Sequence, residues 1–299
     1  MKKEKEILSP NILLTNFCNQ NCDYCFAKKE MKEGMVKEMS MDNFLRMMKL
    51  LKKNKIDQLR LMGGEPTLHS QFDLILSRAY PLFKQIIIFS NGLVSLKSIK
   101  AINQYADKII LNFNLDTQAF ENNLKQRKQI IALINEFSLK TKVFLGFTLS
   151  NLEKDYLELF KGFKKDIWQK IGIRFGLAKP SPGERPFFAK GDYPKIGNKI
   201  IFLVKSFKEM GIKDVFLDCG LKKEMFDWRE RHYLTKNSHL RGWNCEGKWS
   251  SFDITPDLTI FPCFPYYNKL RKKLDDFKNF NQARDYFKKI KNFCLDNKK

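Results

Sequence analysis

Cys18, Cys22 and Cys25 stand as C-x3-C-x2-C in the stretch TNFCNQNCDYCFAKKE. Three thiolates on one short loop can grip three corners of a cubane 4Fe–4S cluster, leaving the fourth iron open. A structural metal site fills its positions with protein ligands, whereas a reacting site keeps one free. The alternative is a zinc knuckle closed by His69 or by a distant cysteine.

Three further stretches carry groups that can bind a small ligand. In MGGEPTLH, Gly63 and Gly64 let the backbone approach a ligand closely, and Glu65 offers an acceptor to an ammonium group. In FSNG, Ser90 and Asn91 supply a hydroxyl and an amide, and Gly92 permits a tight turn. In KIILNFNLD, strand alternation puts Ile110, Asn112 and Asn114 on one face and Leu111 and Phe113 on the other. Each stretch also has a plain reading as turn chemistry. His69 reads as a helix-start residue, and Arg174 and Lys179 as solvated or structural cations.

The triplet, with aromatic Tyr24 just before its third cysteine, resembles the signature of the radical S-adenosylmethionine (SAM) enzymes. The GGEP run Gly63, Gly64, Glu65 and Pro66 resembles that family's motif for the SAM amino group. Ser90–Asn91–Gly92 is similar to its Thr-Asn-Gly. Asn112 and Asn114 stand where polar residues of the family meet the SAM ribose. The resemblance implies that the open iron chelates SAM and that the reduced cluster splits it into methionine and a 5′-deoxyadenosyl radical. That radical then takes a hydrogen atom from a substrate.

Cys219, Cys245, Cys263 and Cys294 make up the rest of the seven cysteines. Between Cys245 and Cys263 run FDI, a turn at Pro256–Asp257, and LTIFP. This resembles the cysteine–hairpin–cysteine unit of SPASM and twitch domains and implies a second 4Fe–4S cluster, of the shorter twitch type. Other readings are buried free cysteines, a zinc site, or a hydrogen-atom donor at Cys219 or Cys294. If only three cysteines converge, Cys294 is the expected outsider.

The elements that must position these groups follow from periodicity. Short apolar runs predict strands at Ile7–Thr15, Gln58–Met62, Gln85–Ser90, Lys108–Asn114, Lys142–Leu149 and Gly172–Leu177. Amphipathic stretches predict helices at Met41–Asn54, Gln71–Phe83, Leu96–Ala106, Gln118–Glu136, Leu152–Lys165 and Lys195–Met210, with Ser40 and Ser70 capping the first two. Repeated β–α units predict an α/β fold with a parallel sheet. Six strands match the open, partial (β/α)6 barrel that the resemblance implies, with the site at the strands' C-terminal ends. Lys179–Pro194 holds four of the ten prolines and reads as the way out of the barrel. The expected organisation is a barrel over 1–185, a linker and connecting helix over 186–210, and an auxiliary-cluster domain over 211–299.

The chain has 299 residues, 43% of them hydrophobic, enough for a sizeable core. It shows no signal-peptide stretch and no apolar run of membrane-spanning length, so a cytoplasmic location is expected, where cysteines read as metal ligands. Lys+Arg of 55 against Asp+Glu of 33 gives +22, a field that draws polyanions and equally a signature of A/T-rich codons. Peptide or protein maturation is the leading expectation, fed by an electron donor such as flavodoxin or ferredoxin. With the barrel beginning by residue 8, no leader-peptide-binding domain is expected ahead of it. RNA modification, small-molecule radical chemistry and a non-catalytic electron carrier are the alternatives; GGEP argues against the carrier, which has no use for a SAM site.

Overall fold

The computed structural model describes residues 9–28, 36–180, 185–218, 220–240, 252–262 and 270–289. Six strands carry the repeat: β1 (Asn11–Leu13), β2 (Gln58–Met62), β3 (Gln85–Ser90), β4 (Ile109–Asn114), β5 (Lys142–Leu149) and β6 (Ile171–Leu177). They pair in chain order, every pair parallel. Five of these strands lie within one residue of their expected ends; β1 is shorter, and part of its expected range falls outside the described residues.

Each strand buries every second side chain under the helices. Leu59 and Leu61, Ile86 and Ile88, Leu111 and Phe113, Val143 and Leu145, and Ile173 and Phe175 are all fully covered. The helices supply the other half of that layer. In α1 (Met41–Lys53), Phe44, Met47, Met48 and Leu51 form one buried stripe, and Ser40 accepts a hydrogen bond from Asn43 N–H at its start. The next are α2 (Phe72–Ala79), α3 (Leu96–Gln104), α4 (Gln118–Asn122) and α5 (Leu124–Phe137).

The opposite face of the sheet carries Arg60, Phe89, Asn112, Phe144 and Arg174, and the sheet curls around it. Arg174 on β6 stacks 4.8 Å from the ring of Phe89 on β3. Three strand spacings of a flat sheet come to roughly 14 Å. Arg60 reaches the same ring from β2, at 5.2 Å. The sheet does not close, so the expected open, partial barrel is what the chain forms.

Beyond β6 the sheet grows at both edges. β7 (Asp214–Leu217) and β8 (His239–Leu240) continue the parallel run, with α6 (Tyr193–Glu209) leading from β6 into β7 and α7 (Trp228–Asn237) between β7 and β8. At the other edge β9 (Asp253–Ile254) pairs parallel with β1, followed by antiparallel β10 (Thr259–Phe261) and β11 (Lys272–Lys273). The last described element is α8 (Phe280–Lys289). The hairpin expected between Cys245 and Cys263 is thus β9–β10. It and β7–β8 extend the barrel sheet itself, across the boundary expected at residue 185.

Three local expectations fail, each for a visible reason. Leu152–Lys165 forms two 3-10 turns, Tyr156–Phe160 and Lys165–Ile167, in place of a helix. Its apolar spacing is helical, yet Gly162 takes φ +94° and ends the first turn. Gln118–Glu136 breaks at Asn123, whose extended backbone lets its side chain cap α5 at Gln126 N–H. Ser70 caps nothing: its hydroxyl and N–H both donate to Glu38. Among the described residues no helix is long and apolar enough to cross a membrane.

Phe147, 3% exposed, stacks on Phe175 at 4.8 Å and on Tyr156 at 4.9 Å under the sheet. Phe147→Ala should cost about 3–5 kcal/mol in denaturant unfolding. A loss below about 1 kcal/mol would mean that this aromatic layer does not hold the barrel.

Candidate metal centre

The cysteine loop leaves β1 and is fastened at its base before any cysteine is reached. Asn16 N–H donates to Lys37 O, and Asn16 Nδ2 to Val36 O. Thr15 Oγ1 accepts from Phe17 N–H and donates to Lys37 O. Cys18, Cys22 and Cys25 then follow, all partly exposed and none in a disulfide.

Gly63 and Gly64 pack on this loop. Gly64 N–H donates to Thr15 O at 2.8 Å and Glu65 N–H to Phe17 O at 2.7 Å. A methyl group on Gly64 would stand 2.1 Å from Phe17 O and 3.0 Å from Cys18 Cβ. At Gly63, where φ is +152°, it would stand 2.4 Å from Thr15 O. The close approach that two glycines permit is made here to the chain's own backbone at Thr15 and Phe17.

Glu65 is 1% exposed. Its carboxylate accepts from Thr67 Oγ1 (2.7 Å), Thr67 N–H (3.3 Å), Ser90 Oγ (3.0 Å) and Asn91 N–H (2.7 Å). Burial pushes its carboxyl up from the ordinary range, against the pull of those donors. Glu65 thus ties the end of β2 to the end of β3, with both oxygens engaged inside the protein. Pro66 is buried in the turn that follows.

Asn91 and Asn19 interlock. Leu93 N–H donates to Asn91 Oδ1 at 2.9 Å, Asn91 Nδ2 donates to Asn19 Oδ1 at 2.7 Å, and Asn19 Nδ2 donates to Leu93 O at 3.2 Å. Further round the mouth, Gln20 Oε1 accepts from Ala119 N–H at the start of α4. Tyr24 Oη donates to Asp116 Oδ1 at 2.8 Å, and Asp116 Oδ2 accepts from Thr148 N–H on β5 at 2.7 Å. Burial lifts the Asp116 carboxyl to about 7 and carries the Tyr24 phenol well above its usual range. Asn112 is buried on the inner face of β4 and Asn114 is exposed at its end.

The structure therefore places Cys18 with Asn91 and Gly64, and Cys22 with Tyr24. Asn19, Gln20 and Asp116 were not singled out, although Asp116 ends the quoted run LNFNLD. The auxiliary cysteines Cys219, Cys245, Cys263 and Cys294 lie outside the described residues.

Three cysteine thiols on one short loop fit a 4Fe–4S cluster, in which each thiolate takes its own iron and one iron stays open. His69 is not free for zinc: it is buried, Nδ1 accepts from Gln71 N–H, and Nε2 therefore carries the proton given to Met39 O at 2.8 Å. Burial raises the Cys18 thiol and lifts Cys22 to about 11, so metal must displace protons from both.

Residues 12–145 match the family model of the Radical SAM superfamily. The chain carries a radical SAM domain. Such a domain implies a 4Fe–4S cluster and SAM, for which Cys18, Cys22 and Cys25 are the candidate thiolate ligands. A probable GTP 3′,8-cyclase of Methanocella arvoryzae is 33% identical over 88 residues, 29% of this chain and 28% of that protein. The subtilosin biosynthesis protein AlbA of Bacillus subtilis is 25% identical over 168 residues, 53% of this chain and 35% of AlbA. The crystal structure of Streptococcus suis SuiB bound to precursor peptide SuiA superposes with a TM-score of 0.67 at 16% identity. That match covers 94% of this chain and 64% of SuiB and shows the shared fold. The chain spans less than two thirds of each of these proteins.

Two outcomes follow for this radical SAM domain. Gly64→Ala should leave the barrel folded but lower the iron taken up on anaerobic reconstitution, since the methyl displaces Phe17 and Cys18. Full iron content in that variant would show that the loop does not need the contact.

Asp116 gives a pH signature in the iron-free protein. Its folded carboxyl sits near 7 and its ordinary value is 3.8, so the folded state holds the proton longer. Stability should therefore fall as pH rises from about 4 to about 7, by on the order of 4 kcal/mol, and level off above. Asp116→Asn should remove that slope in denaturant midpoints; an unchanged slope would place the titration elsewhere.

Proposed function

We propose that this chain is an enzyme that cleaves SAM reductively and abstracts a hydrogen atom from a peptide or protein. The observation that carries it is the three-cysteine loop, clamped by hydrogen bonds to the C-terminal ends of the barrel strands. When bound, the cluster and SAM supply a 5′-deoxyadenosyl radical. The chain's residues supply the geometry for that radical. Gly63 and Gly64 seat the loop, Glu65 joins β2 to β3 beneath it, and Asp116 holds the Tyr24 ring beside Cys22. Asn112 and Asn114 present amides toward the mouth for the SAM ribose.

The lining of the inner face suits a peptide, with aromatic rings beside cationic side chains. That face offers Phe89, Phe144 and Phe216 with Arg60 and Arg174. The likenesses to a bacteriocin biosynthesis protein and to a structure holding a precursor peptide support the same class. A nucleotide or RNA substrate is the second reading, favoured by the cyclase relative and by the net charge of +22. We assign Cys219, Cys245, Cys263 and Cys294 to an auxiliary 4Fe–4S cluster. Flavodoxin or ferredoxin as reductant and a cytoplasmic location belong to the same proposal, since both clusters need a reducing compartment.

The test is anaerobic reconstitution with SAM and reductant, following 5′-deoxyadenosine. Replacing Cys18, Cys22 and Cys25 together with Ala should bring its formation to background. Iron should fall from about eight to about four per chain if cubane clusters fill both sites. Undiminished cleavage in the triple variant would end the radical SAM reading.

A further inference from the structure

The Asn91–Asn19–Leu93 ring fixes which way the Asn91 amide faces. Its oxygen is committed to Leu93 N–H, so its nitrogen is the end that meets the cysteine loop. Asn19 cannot be flipped to relieve this, because its own nitrogen donates to Leu93 O and leaves its oxygen facing Asn91. Of the two Asn91 amide hydrogens one goes to Asn19 Oδ1. The other lies toward Cys18 Sγ, with nitrogen and sulfur 3.9 Å apart.

This donor is held from several sides. Asn91 is 8% exposed, and its own N–H is anchored on Glu65 Oε2 at 2.7 Å. The N–H therefore sits at a fixed place in a largely dry setting, where a dipole acts on a neighbouring charge more strongly than in water. A hydrogen bond to a cluster-ligating sulfur favours the reduced state, which carries one more negative charge, and so raises the reduction potential.

We propose that Asn91 is a positioning and redox-tuning residue, whose side-chain N–H to Cys18 Sγ makes the SAM-binding cluster easier to reduce. The proposal rests on the cluster reading given above. Asn91 thus couples the end of β3 to the electron-accepting step, in addition to fastening the loop.

The experiment is a redox titration of the reconstituted protein followed by electron paramagnetic resonance, on wild type, Asn91→Leu and Asn19→Ala. The relevant cluster is the one whose signal changes when SAM is added. Asn91→Leu keeps the bulk and removes both amide hydrogens, so the reduced-to-oxidised ratio at a fixed potential should drop about tenfold, or 59 mV for one electron. Asn19→Ala loosens the ring but keeps the Asn91 donor, and its midpoint should stay with the wild type. If Asn91→Leu loses iron, Asn91→Asp replaces it: the acceptor for Leu93 stays, the donor goes, and the midpoint should fall further. A loaded Asn91 variant with a wild-type midpoint overturns the proposal, as does Asn19→Ala shifting as far as Asn91→Leu. A wild-type protein that takes up no SAM-responsive cluster overturns instead the reading beneath it.

Discussion

Gly64 lies so close to the Phe17 carbonyl that there is no room for a side chain between them. Two hydrogen bonds, Gly64 N–H to Thr15 O and Glu65 N–H to Phe17 O, hold that approach. The path of the cysteine loop depends on it, because the loop would otherwise project from the end of β1 with support only at its base. Once the turn after β2 is seated there, Asn19 comes within reach of β3 and Gln20 of the start of α4. Tyr24 then meets Asp116 at the end of β4. The loop is thus held by the ends of successive strands, the place where a parallel barrel gathers its functional groups.

Glu65 has a part in the fold that its place in the sequence does not announce. Its place after two glycines at a strand end marks it out, and the family resemblance reads it as an acceptor for the SAM ammonium. The structure surrounds its carboxylate with four donors from Thr67, Ser90 and Asn91. Burying a carboxylate is costly unless hydrogen bonds replace water, and these do. The charge therefore orders Asn91, and Asn91 orders the loop and faces Cys18. That chain of contacts joins residues 18, 65 and 91, and no periodicity reveals it.

Much of the barrel was legible because its strands alternate so regularly. QLRLM and QIIIFS declare both their ends and their buried face. The helical stripe of Leu152–Lys165 misled because Tyr156, Leu159, Phe160 and Phe163 keep helical spacing while Gly162 turns left-handed and breaks the run. β8, β9, β10 and β11 have two or three residues each, too short for a period, and β9 pairs with β1 across more than 240 residues. Asp116 escaped because a carboxylate after a strand reads as turn chemistry. Only the fold shows it buried between Tyr24 and Thr148.

These contacts make the protein itself hold the cysteine loop in place before any cluster binds. Amide hydrogen exchange on the iron-free protein tests this directly, read at Gly64 and Glu65. Both amides should exchange at least about a hundredfold more slowly than in an unfolded chain, as do hydrogen bonds that open only with the surrounding barrel. Exchange at unfolded rates at these two positions, with β2 and β3 still protected, would instead make the loop's shape a consequence of metal.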